Sequence, residues 1–214
     1  MTRTLPRLCA ITDRALAGGL SHELITRALV RGGARWIQLR EKSLPPRQFF
    51  SEAAAAVRAA REDGPGGLIV VNDRADIALA AAADGVHVGR ADLPAEEARR
   101  LLGPGALVGV STHSVGEGIA ASHLPVDYVA IGPVFPTATK TDPAPVVGIS
   151  AVRVLASSIG LPVVAIGGIG PSNAEQVLEA GAHAIAVICA LYDPIRSIEE
   201  NVAALLRCLQ SKAP

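Results

Sequence analysis

The chain contains few aromatic residues, few cysteines and no excess of charge of either sign. Aromatic residues make up 3% of its 214 residues, and 20 basic residues are balanced by 20 acidic ones. Nucleic-acid-binding proteins usually carry a basic face with interleaved aromatic residues, so we expect no nucleic-acid partner. The three cysteines have no CxxC or zinc-type spacing and suit a reducing compartment better than a disulfide framework: Cys9, Cys189 and Cys208.

Long hydrophobic runs are also missing. No apolar stretch is long enough to cross a bilayer, and the first residues lack the apolar region of a signal peptide. We therefore expect a cytoplasmic protein without a membrane partner. Half of the residues are apolar, which provides for a substantial core and argues against disorder. At this length we expect one domain that spans residues 1–214.

Short apolar runs alternate along the chain with longer segments rich in Ala, Leu and Arg. The runs predict strands near residues 7–12, 35–39, 67–71, 85–88, 107–110, 126–131, 161–166 and 184–188. The longer segments predict helices near residues 21–32, 45–62, 75–83, 93–102, 114–123, 149–158, 172–180 and 195–209. Eight successive β-then-α units favour an α/β fold, a single (β/α)₈ TIM barrel, over a doubly wound open sheet with one dominant binding loop.

Charged residues follow the second predicted strand. In a barrel the C-terminal ends of the strands converge on one mouth. Arg40 and Lys42 lie two positions apart, and together they suit a diphosphate, because Arg offers a planar bidentate fork and Lys a point charge. The alternative is a solvated strand end with a salt bridge to Glu41.

Two aspartates follow the third and fourth predicted strands, Asp73 after Asn72 and Asp92 after Arg90 and Ala91. Magnesium prefers oxygen ligands and usually takes one or two carboxylates together with substrate phosphates. The pair therefore indicates a magnesium site. The alternative for each aspartate is the N-cap of the helix that follows it.

The fifth predicted strand ends in small polar residues. Ser111 can donate to a phosphate oxygen, and His113 can act as a base or hydrogen-bond partner near neutral pH. The alternative is a polar turn that caps the next helix. No carboxylate stands at a fixed spacing to orient His113, so a hydrolytic triad is not indicated. His87 is predicted to be an interior histidine with its hydrogen bonds satisfied, and three others are predicted to be helix or surface residues: His22, His123 and His183.

The last two predicted loops complete the mouth. The proline-rich segment 133–148 is typical of a lid or binding loop, with a stiffened surface excursion as the alternative. Within it, Thr137, Thr139 and Lys140 supply hydroxyls and a cation. The glycines of segment 167–170 let backbone N–H groups approach a phosphate, beside Ile188 and Cys189 at the end of the eighth strand. The sequence thus predicts a diphosphate site and a monophosphate site in one mouth.

Taken together and in order, these motifs resemble the thiamine phosphate synthase family over nearly the whole chain. The matching segments are Gln38-Leu39-Arg40-Glu41-Lys42, Asn72-Asp73-Arg74, Gly85-Val86-His87-Val88-Gly89, Ser111-Thr112-His113, the run from Gly132 to Lys140, and Gly167-Gly168-Ile169. The resemblance implies a (β/α)₈ barrel that joins hydroxymethylpyrimidine diphosphate to a thiazole phosphate, or its carboxylated form, with release of diphosphate and formation of thiamine phosphate.

The resemblance also implies roles for individual residues. Positions that hold the pyrimidine diphosphate in the family match Gln38, Arg40, Lys42, Asn72, Ser111 and Lys140; of these, Arg40, Lys42, Ser111 and Lys140 are the expected catalytic residues. Positions that bind Mg²⁺ match Asp73 and Asp92. Positions around the thiazole phosphate match Thr137, Thr139, Gly168, Ile188 and Cys189.

Two residues depart from the family pattern. Family members usually carry Gln at Arg90 and Ser at Cys189. The extra charge of Arg90 can pair with Asp92 or touch the diphosphate, and a thiol is a weaker donor than a hydroxyl.

Two other functions compete with the synthase. A thiazole tautomerase shares the barrel and the thiazole phosphate site and moves a proton with a fifth-loop histidine, a place that His113 can fill. The chain could also be a non-catalytic sensor of a phosphate ligand, on a barrel that has lost its catalytic activity. Both are disfavoured, because the residues for diphosphate and metal are retained: Arg40, Lys42, Asp73, Asp92 and Lys140.

Overall fold

A computed structural model describes residues 4–64, 67–137, 144–193 and 195–210 of the chain. Eight parallel strands form a closed barrel in the order of the sequence. They are β1 (Leu8–Ile11), β2 (Trp36–Leu39), β3 (Leu68–Asn72), β4 (Gly85–Val88), β5 (Leu107–Thr112), β6 (Tyr128–Ile131), β7 (Val163–Ile166) and β8 (Ala184–Val187). Because β1 pairs with β8 as well as with β2, the predicted barrel is confirmed and an open sheet is excluded.

A helix follows each strand and covers the outside of the barrel. The helices are α1 (His22–Arg31), α2 (Pro46–Asp63), α3 (Ala75–Ala80), α4 (Ala95–Leu102), α5 (Val115–Ala121), α6 (Gly148–Ser158), α7 (Ala174–Glu179) and α8 (Ile198–Gln210). A short 3₁₀ helix, Cys189–Leu191, lies between β8 and α8. Every predicted strand and helix is present, with ends within a few residues of those predicted.

Side chains of the strands alternate between two hydrophobic layers. In β1, Leu8 and Ala10 pack in the layer shared with the helices, whereas Cys9 and Ile11 pack in a layer built almost entirely from strand residues. The second layer is the inside of the barrel, because successive side chains of a strand point to opposite faces. In β2 the inward residue is Trp36. The same alternation turns Gln38, and Arg40 just after the end of β2, inward and towards the mouth.

Two aromatic rings fill the inside of the barrel below the mouth. Trp36 and Tyr128 meet edge to face, with ring centroids 4.9 Å apart, an arrangement that aromatic pairs favour. The Tyr128 ring lies over Gly109 of β5, where a Cβ atom would stand 2.0 Å from the ring. Only glycine fits at this position with the ring in place.

Among the helices of the described part of the chain, none is both long and apolar enough to cross a membrane.

We predict that Gly109→Ala destabilises the protein by about 1–3 kcal/mol, the usual cost of overpacking a core. The added methyl group would overlap the Tyr128 ring, which is buried, so the ring or the strand would have to shift. The free energy of unfolding in urea measures the effect.

The matched control is Gly116→Ala in α5, where a Cβ atom meets nothing within 4 Å. This change should be neutral or stabilising by up to about 1 kcal/mol, since alanine favours a helix. Equal stability of Gly109→Ala and the wild-type protein would contradict this account of the barrel interior.

Candidate active site

A cavity of about 350 Å³ opens at the C-terminal ends of β5 to β8 and reaches Arg40 after β2. Its walls combine the polar ends of β5 with the glycine-rich turn after β7 and the start of the 3₁₀ helix after β8. Of the residues predicted for the site, the cavity brings together Arg40, Ser111, Thr137, Gly168, Ile188 and Cys189. Arg40 and Ser111 of the predicted diphosphate site thus share this cavity with predicted thiazole phosphate residues, whereas Lys42, Asp73 and Asp92 do not line it.

The two predicted cations after β2 are each held by a carboxylate. Arg40 donates from Nη1 to Asp13 Oδ2 at 3.0 Å, and both side chains are mostly buried. Lys42 Nζ donates to Asp73 Oδ2, with the lysine side chain more than half exposed. The alternative salt bridge of Arg40 to Glu41 does not form between these described residues, since Glu41 Oε2 lies near Arg14 and His22 instead. Both cations thus lie at the mouth, and each forms an ion pair with an aspartate.

Asp73 and Asp92 lie against each other at the ends of β3 and β4. Burial raises the pKa of Asp92; the Gly89 N–H, which donates to Asp92 Oδ2 at 2.7 Å, opposes the rise, and the neighbouring Asp73 carboxylate adds to it. Neither aspartate caps a helix: the N-cap residues of α3 and α4 are Arg74 and Pro94. The capping alternative is therefore wrong for both.

Two adjacent carboxylates, Asp73 and Asp92, form a site that favours a cation, in keeping with the raised pKa of Asp92. In the described residues, no group of three or more His, Cys, Asp or Glu side chains is arranged to hold a metal ion. A site with only two carboxylates suits magnesium, which usually completes its shell with water and substrate phosphates. The donor set after β3 and β4 therefore fits Mg²⁺ shared with a bound phosphate.

A buried chain of polar groups reaches Ser111 from inside the barrel. Tyr128 Oη lies 2.9 Å from His87 Nδ1, and His87 Nε2 lies 2.8 Å from Ser111 Oγ. Burial raises the pKa of Tyr128, so its hydroxyl stays protonated. The prediction that His87 is a satisfied interior histidine is confirmed. These contacts fix the Ser111 hydroxyl at the floor of the cavity.

His113 is anchored at the mouth by its own neighbours. Its Nδ1 donates to the Gly132 carbonyl at 2.6 Å, and its backbone N–H donates to Glu117 Oε2 at 2.7 Å. The imidazole lines the cavity. The partner of the His113 Nδ1 atom is therefore a backbone carbonyl.

The glycine-rich turn after β7 packs tightly against the segment that follows β6. Gly167 and Gly168 have φ angles of 100° and 64°. A Cβ atom on Gly168 would lie 2.5 Å from the Pro136 carbonyl oxygen. Asn173 fastens the turn by donating to the Gly168 carbonyl and accepting from the Gly170 N–H. The turn therefore presents bare backbone to the cavity, as a phosphate site requires.

The remaining predicted residues lie in three places. Gln38 and Asn72 are buried on strands β2 and β3, at positions that the alternation turns towards the mouth. Thr139 and Lys140 lie outside the described residues. Of the two departures from the family pattern, Cys189 lines the cavity, and Arg90 is highly exposed with its guanidinium 3.5 Å from Glu117 rather than on Asp92.

Sequence reasoning missed two residues that support this mouth. Asp13, which holds Arg40, follows β1 at the same end of the barrel, and its place after a strand was the available signal. His22 was predicted to be a helix or surface residue; it is the first residue of α1, but the surface alternative is wrong, because its side chain is fully buried. The long-range contacts of His22 could not be read from one sequence.

The fold and the mouth define a (β/α)₈ barrel enzyme built for phosphorylated small molecules. A family model described as thiamine monophosphate synthase matches residues 8–191, and the chain belongs to this family. The resemblance predicted from the sequence motifs is confirmed.

Known proteins that are similar to this chain over nearly its full length support this membership. The thiamine-phosphate synthase of Methanoculleus marisnigri is 43% identical over 205 residues, which cover 96% of this chain and 94% of the relative. That of Chloroflexus aurantiacus is 41% identical over 209 residues, covering 97% and 95%. The solved thiamine phosphate pyrophosphorylase from Pyrococcus furiosus matches with a TM-score of 0.84 and 36% identity over 95% of each chain.

We predict that Asp92→Asn raises stability at neutral pH in the presence of a chelator, by up to about 1 kcal/mol for a partly exposed pair. The pKa of Asp92 is raised in the folded state, so its ionisation opposes folding. The gain should shrink as the pH falls through this raised pKa, where Asp92 is protonated. Thermal unfolding as a function of pH measures the difference.

The control is Asp127→Asn, which removes a carboxylate paired with Arg99 at 2.6 Å. This variant should lose stability at neutral pH. Loss of stability in Asp92→Asn comparable to that in the control would show that Asp73 and Asp92 do not repel each other.

Proposed function

We propose that the chain is a thiamine-phosphate synthase, a transferase of thiamine biosynthesis that joins hydroxymethylpyrimidine diphosphate to thiazole phosphate. The observation that carries the proposal is the pairing of two different anion sites in one barrel mouth. One is the cation and carboxylate cluster after β2, β3 and β4; the other is the glycine-lined cavity at β7 and β8. Family membership and the names of the relatives support the same function. A tautomerase has no use for the first site, and the chain retains the residues whose loss would mark a non-catalytic sensor: Asp73, Asp92 and Lys140.

The diphosphate lies, in this proposal, on the β2 to β5 side of the mouth. Arg40 and Lys42 exchange their carboxylate partners for phosphate oxygens, to which the Arg fork and the Lys point charge are suited. Ser111 donates its hydroxyl from the cavity floor. Gln38, Asn72 and Lys140 complete the pyrimidine diphosphate site, an assignment that rests on the family resemblance.

Asp73 and Asp92 would hold Mg²⁺ against the diphosphate. Their adjacency and the raised pKa of Asp92 support this role. When bound, Mg²⁺ neutralises negative charge that develops on a departing diphosphate. We also place the enzyme in the cytoplasm as one barrel domain, in keeping with its three cysteine thiols.

The thiazole phosphate lies on the β6 to β8 side. Gly168 offers backbone to the phosphate, since no side chain fits beside Pro136. Ile188 and Cys189 form the adjacent wall, and Thr137 lines the opening. Thr139 belongs to this site by the family resemblance. Because Cys189 starts the 3₁₀ helix, a contact through its backbone N–H would make the change from Ser mild.

The reaction needs positioning and charge neutralisation rather than a protein nucleophile. The bond between the pyrimidine methylene carbon and the diphosphate oxygen breaks, and diphosphate leaves with the electron pair. The thiazole nitrogen then uses its lone pair to form the new carbon–nitrogen bond. Arg40, Lys42, Ser111 and Lys140 stabilise the leaving diphosphate, while an anchored thiazole phosphate sets the distance and direction of attack.

The test of this function is product formation by the purified protein. With both substrates and Mg²⁺, thiamine phosphate and diphosphate should appear in equal amounts, and a chelator should stop both. Absence of product with the expected substrates, together with proton exchange on thiazole phosphate, would overturn the proposal in favour of the tautomerase.

We predict that Asp73→Ala and Asp92→Ala each lower turnover at low Mg²⁺, and that added Mg²⁺ partly restores it. Each change removes one carboxylate ligand and leaves the other, so affinity for the metal falls without being lost. Initial rates across a magnesium titration measure the shift. Rates equal to wild type at low Mg²⁺ would remove both aspartates from the metal site.

We predict that Lys140→Ala lowers the rate of bond formation by about 10²–10³-fold, the usual cost of losing one electrostatic stabiliser of developing charge. Single-turnover mixing with both substrates bound isolates this step. Arg153→Ala on α6 serves as a control for the loss of a cation outside the proposed site. A change in affinity for thiazole phosphate alone would contradict the role of Lys140 at the leaving group.

A further inference from the structure

His22 is a buried histidine with a hydrogen-bond partner on each ring nitrogen. It begins α1, and its side chain is 0% exposed. Its Nδ1 lies 2.9 Å from the Thr12 hydroxyl, and its Nε2 lies 3.3 Å from Glu41 Oε2. Neither partner belongs to the proposed site, so the network has no role in the function described above.

The protonation of His22 follows from its partners. Thr12 Oγ1 accepts a hydrogen bond from the Arg40 backbone N–H at 3.0 Å, so its own proton is available for His22 Nδ1. His22 then carries its proton on Nε2, and this N–H donates a hydrogen bond to Glu41 Oε2. Burial lowers the pKa of His22, and this favours the neutral ring, although Glu41 opposes the shift. One neutral imidazole therefore accepts a hydrogen bond from Thr12 and donates one to Glu41.

Thr12 and Glu41 act directly on the segment from Arg40 to Leu44. Thr12 takes the backbone N–H of Arg40, while Glu41 Oε1 accepts from Ser43 N–H, Ser43 Oγ and Leu44 N–H at 2.7–3.1 Å. Partial burial would raise the pKa of Glu41, but the hydrogen bonds from Ser43 and Leu44 outweigh it and lower the pKa to about 2. Glu41 is thus an ionised anchor that folds the loop around itself.

The side chains on either side of Glu41 are Arg40 and Lys42, the two cations of the proposed diphosphate site. Because Glu41 turns inward to His22, its neighbours are free to turn towards the mouth, where they meet Asp13 and Asp73. Loop residues are mobile unless their backbone is tied down. Here the side chains of Thr12 and Glu41 hold the loop backbone by hydrogen bonds, and His22 links these two side chains to each other.

We propose that His22 is a positioning residue for the diphosphate site: by clamping Thr12 and Glu41 together, it fixes the loop that presents Arg40 and Lys42. This inference rests on the proposed function, which assigns the diphosphate to those two cations. It extends the site to the first turn of α1, a helix that contributes no lining residue to the cavity.

The test compares ring packing with hydrogen bonding at His22. His22→Phe keeps a ring beside Phe49, whose ring centroid lies 5.8 Å away, but removes both hydrogen bonds. We expect the affinity for inorganic diphosphate with Mg²⁺, measured by calorimetry, to fall at least about tenfold, since small misplacements of binding groups are costly. The affinity for thiazole phosphate should change less than about twofold.

A second pair of variants tests the same clamp without touching the histidine. Thr12→Val removes the hydroxyl at nearly constant volume, and Thr12→Ser retains it. Thr12→Val should reproduce the loss of diphosphate affinity, and Thr12→Ser should retain wild-type affinity. This pair decides the question if His22→Phe does not fold.

The control is His183→Phe, which removes a hydrogen bond to the Leu5 carbonyl at the opposite end of the barrel. It should alter stability without a selective change in diphosphate affinity. In steady-state assays the KM for pyrimidine diphosphate should rise in His22→Phe and Thr12→Val while that for thiazole phosphate stays constant.

The outcomes separate this inference from the proposed function. If the wild-type protein binds no diphosphate and forms no thiamine phosphate, both fail. If wild type binds and turns over, but His22→Phe or Thr12→Val binds diphosphate equally well, only the positioning role is overturned. An equal loss of affinity for both ligands in these variants, or the same loss in His183→Phe, would overturn it too.

Discussion

The alternation of side chains along eight short strands of a closed parallel barrel is the constraint on which the site depends. Once the barrel closes, every second residue of each strand faces inward, and the last inward residues of all strands meet at one mouth. Trp36 and Tyr128 fill the interior, and the next inward positions along their strands lead up to the cavity. A one-residue shift in any strand would bury its mouth residue beneath a helix.

Charge balance in the mouth is the second determinant of the site. Arg40 pairs with Asp13 and Lys42 with Asp73, while Asp92 adds a third carboxylate. Within this cluster of described residues, two cations face three carboxylates, and a divalent cation reverses that excess of one negative charge. The same cations then become available to a diphosphate. Ion pairs of this kind hold the charged groups in place, and preorganised charges lower the reorganisation that a reaction needs.

Much of the fold and the position of the candidate site could be predicted from one sequence. The strands and helices followed from apolar runs and their spacing, and the residues at strand ends identified the mouth, because the barrel geometry is regular. The supporting contacts could not be predicted. His22 lies 19 positions from Glu41, and Asp13 lies 27 positions from Arg40; contacts at such separations depend on how strands and helices pack. The roles of all the site residues stay predictions, and Thr139 and Lys140 also lie outside the described residues.

The central claim is that one mouth holds two different phosphate groups at separate positions. A crystal structure with Mg²⁺, diphosphate and thiamine phosphate bound together tests it most directly. We expect diphosphate between Arg40, Lys42 and a metal on Asp73 and Asp92, with the phosphate of thiamine phosphate against the Gly168 backbone. Diphosphate on the glycine turn, or a metal bound away from both aspartates, would contradict it.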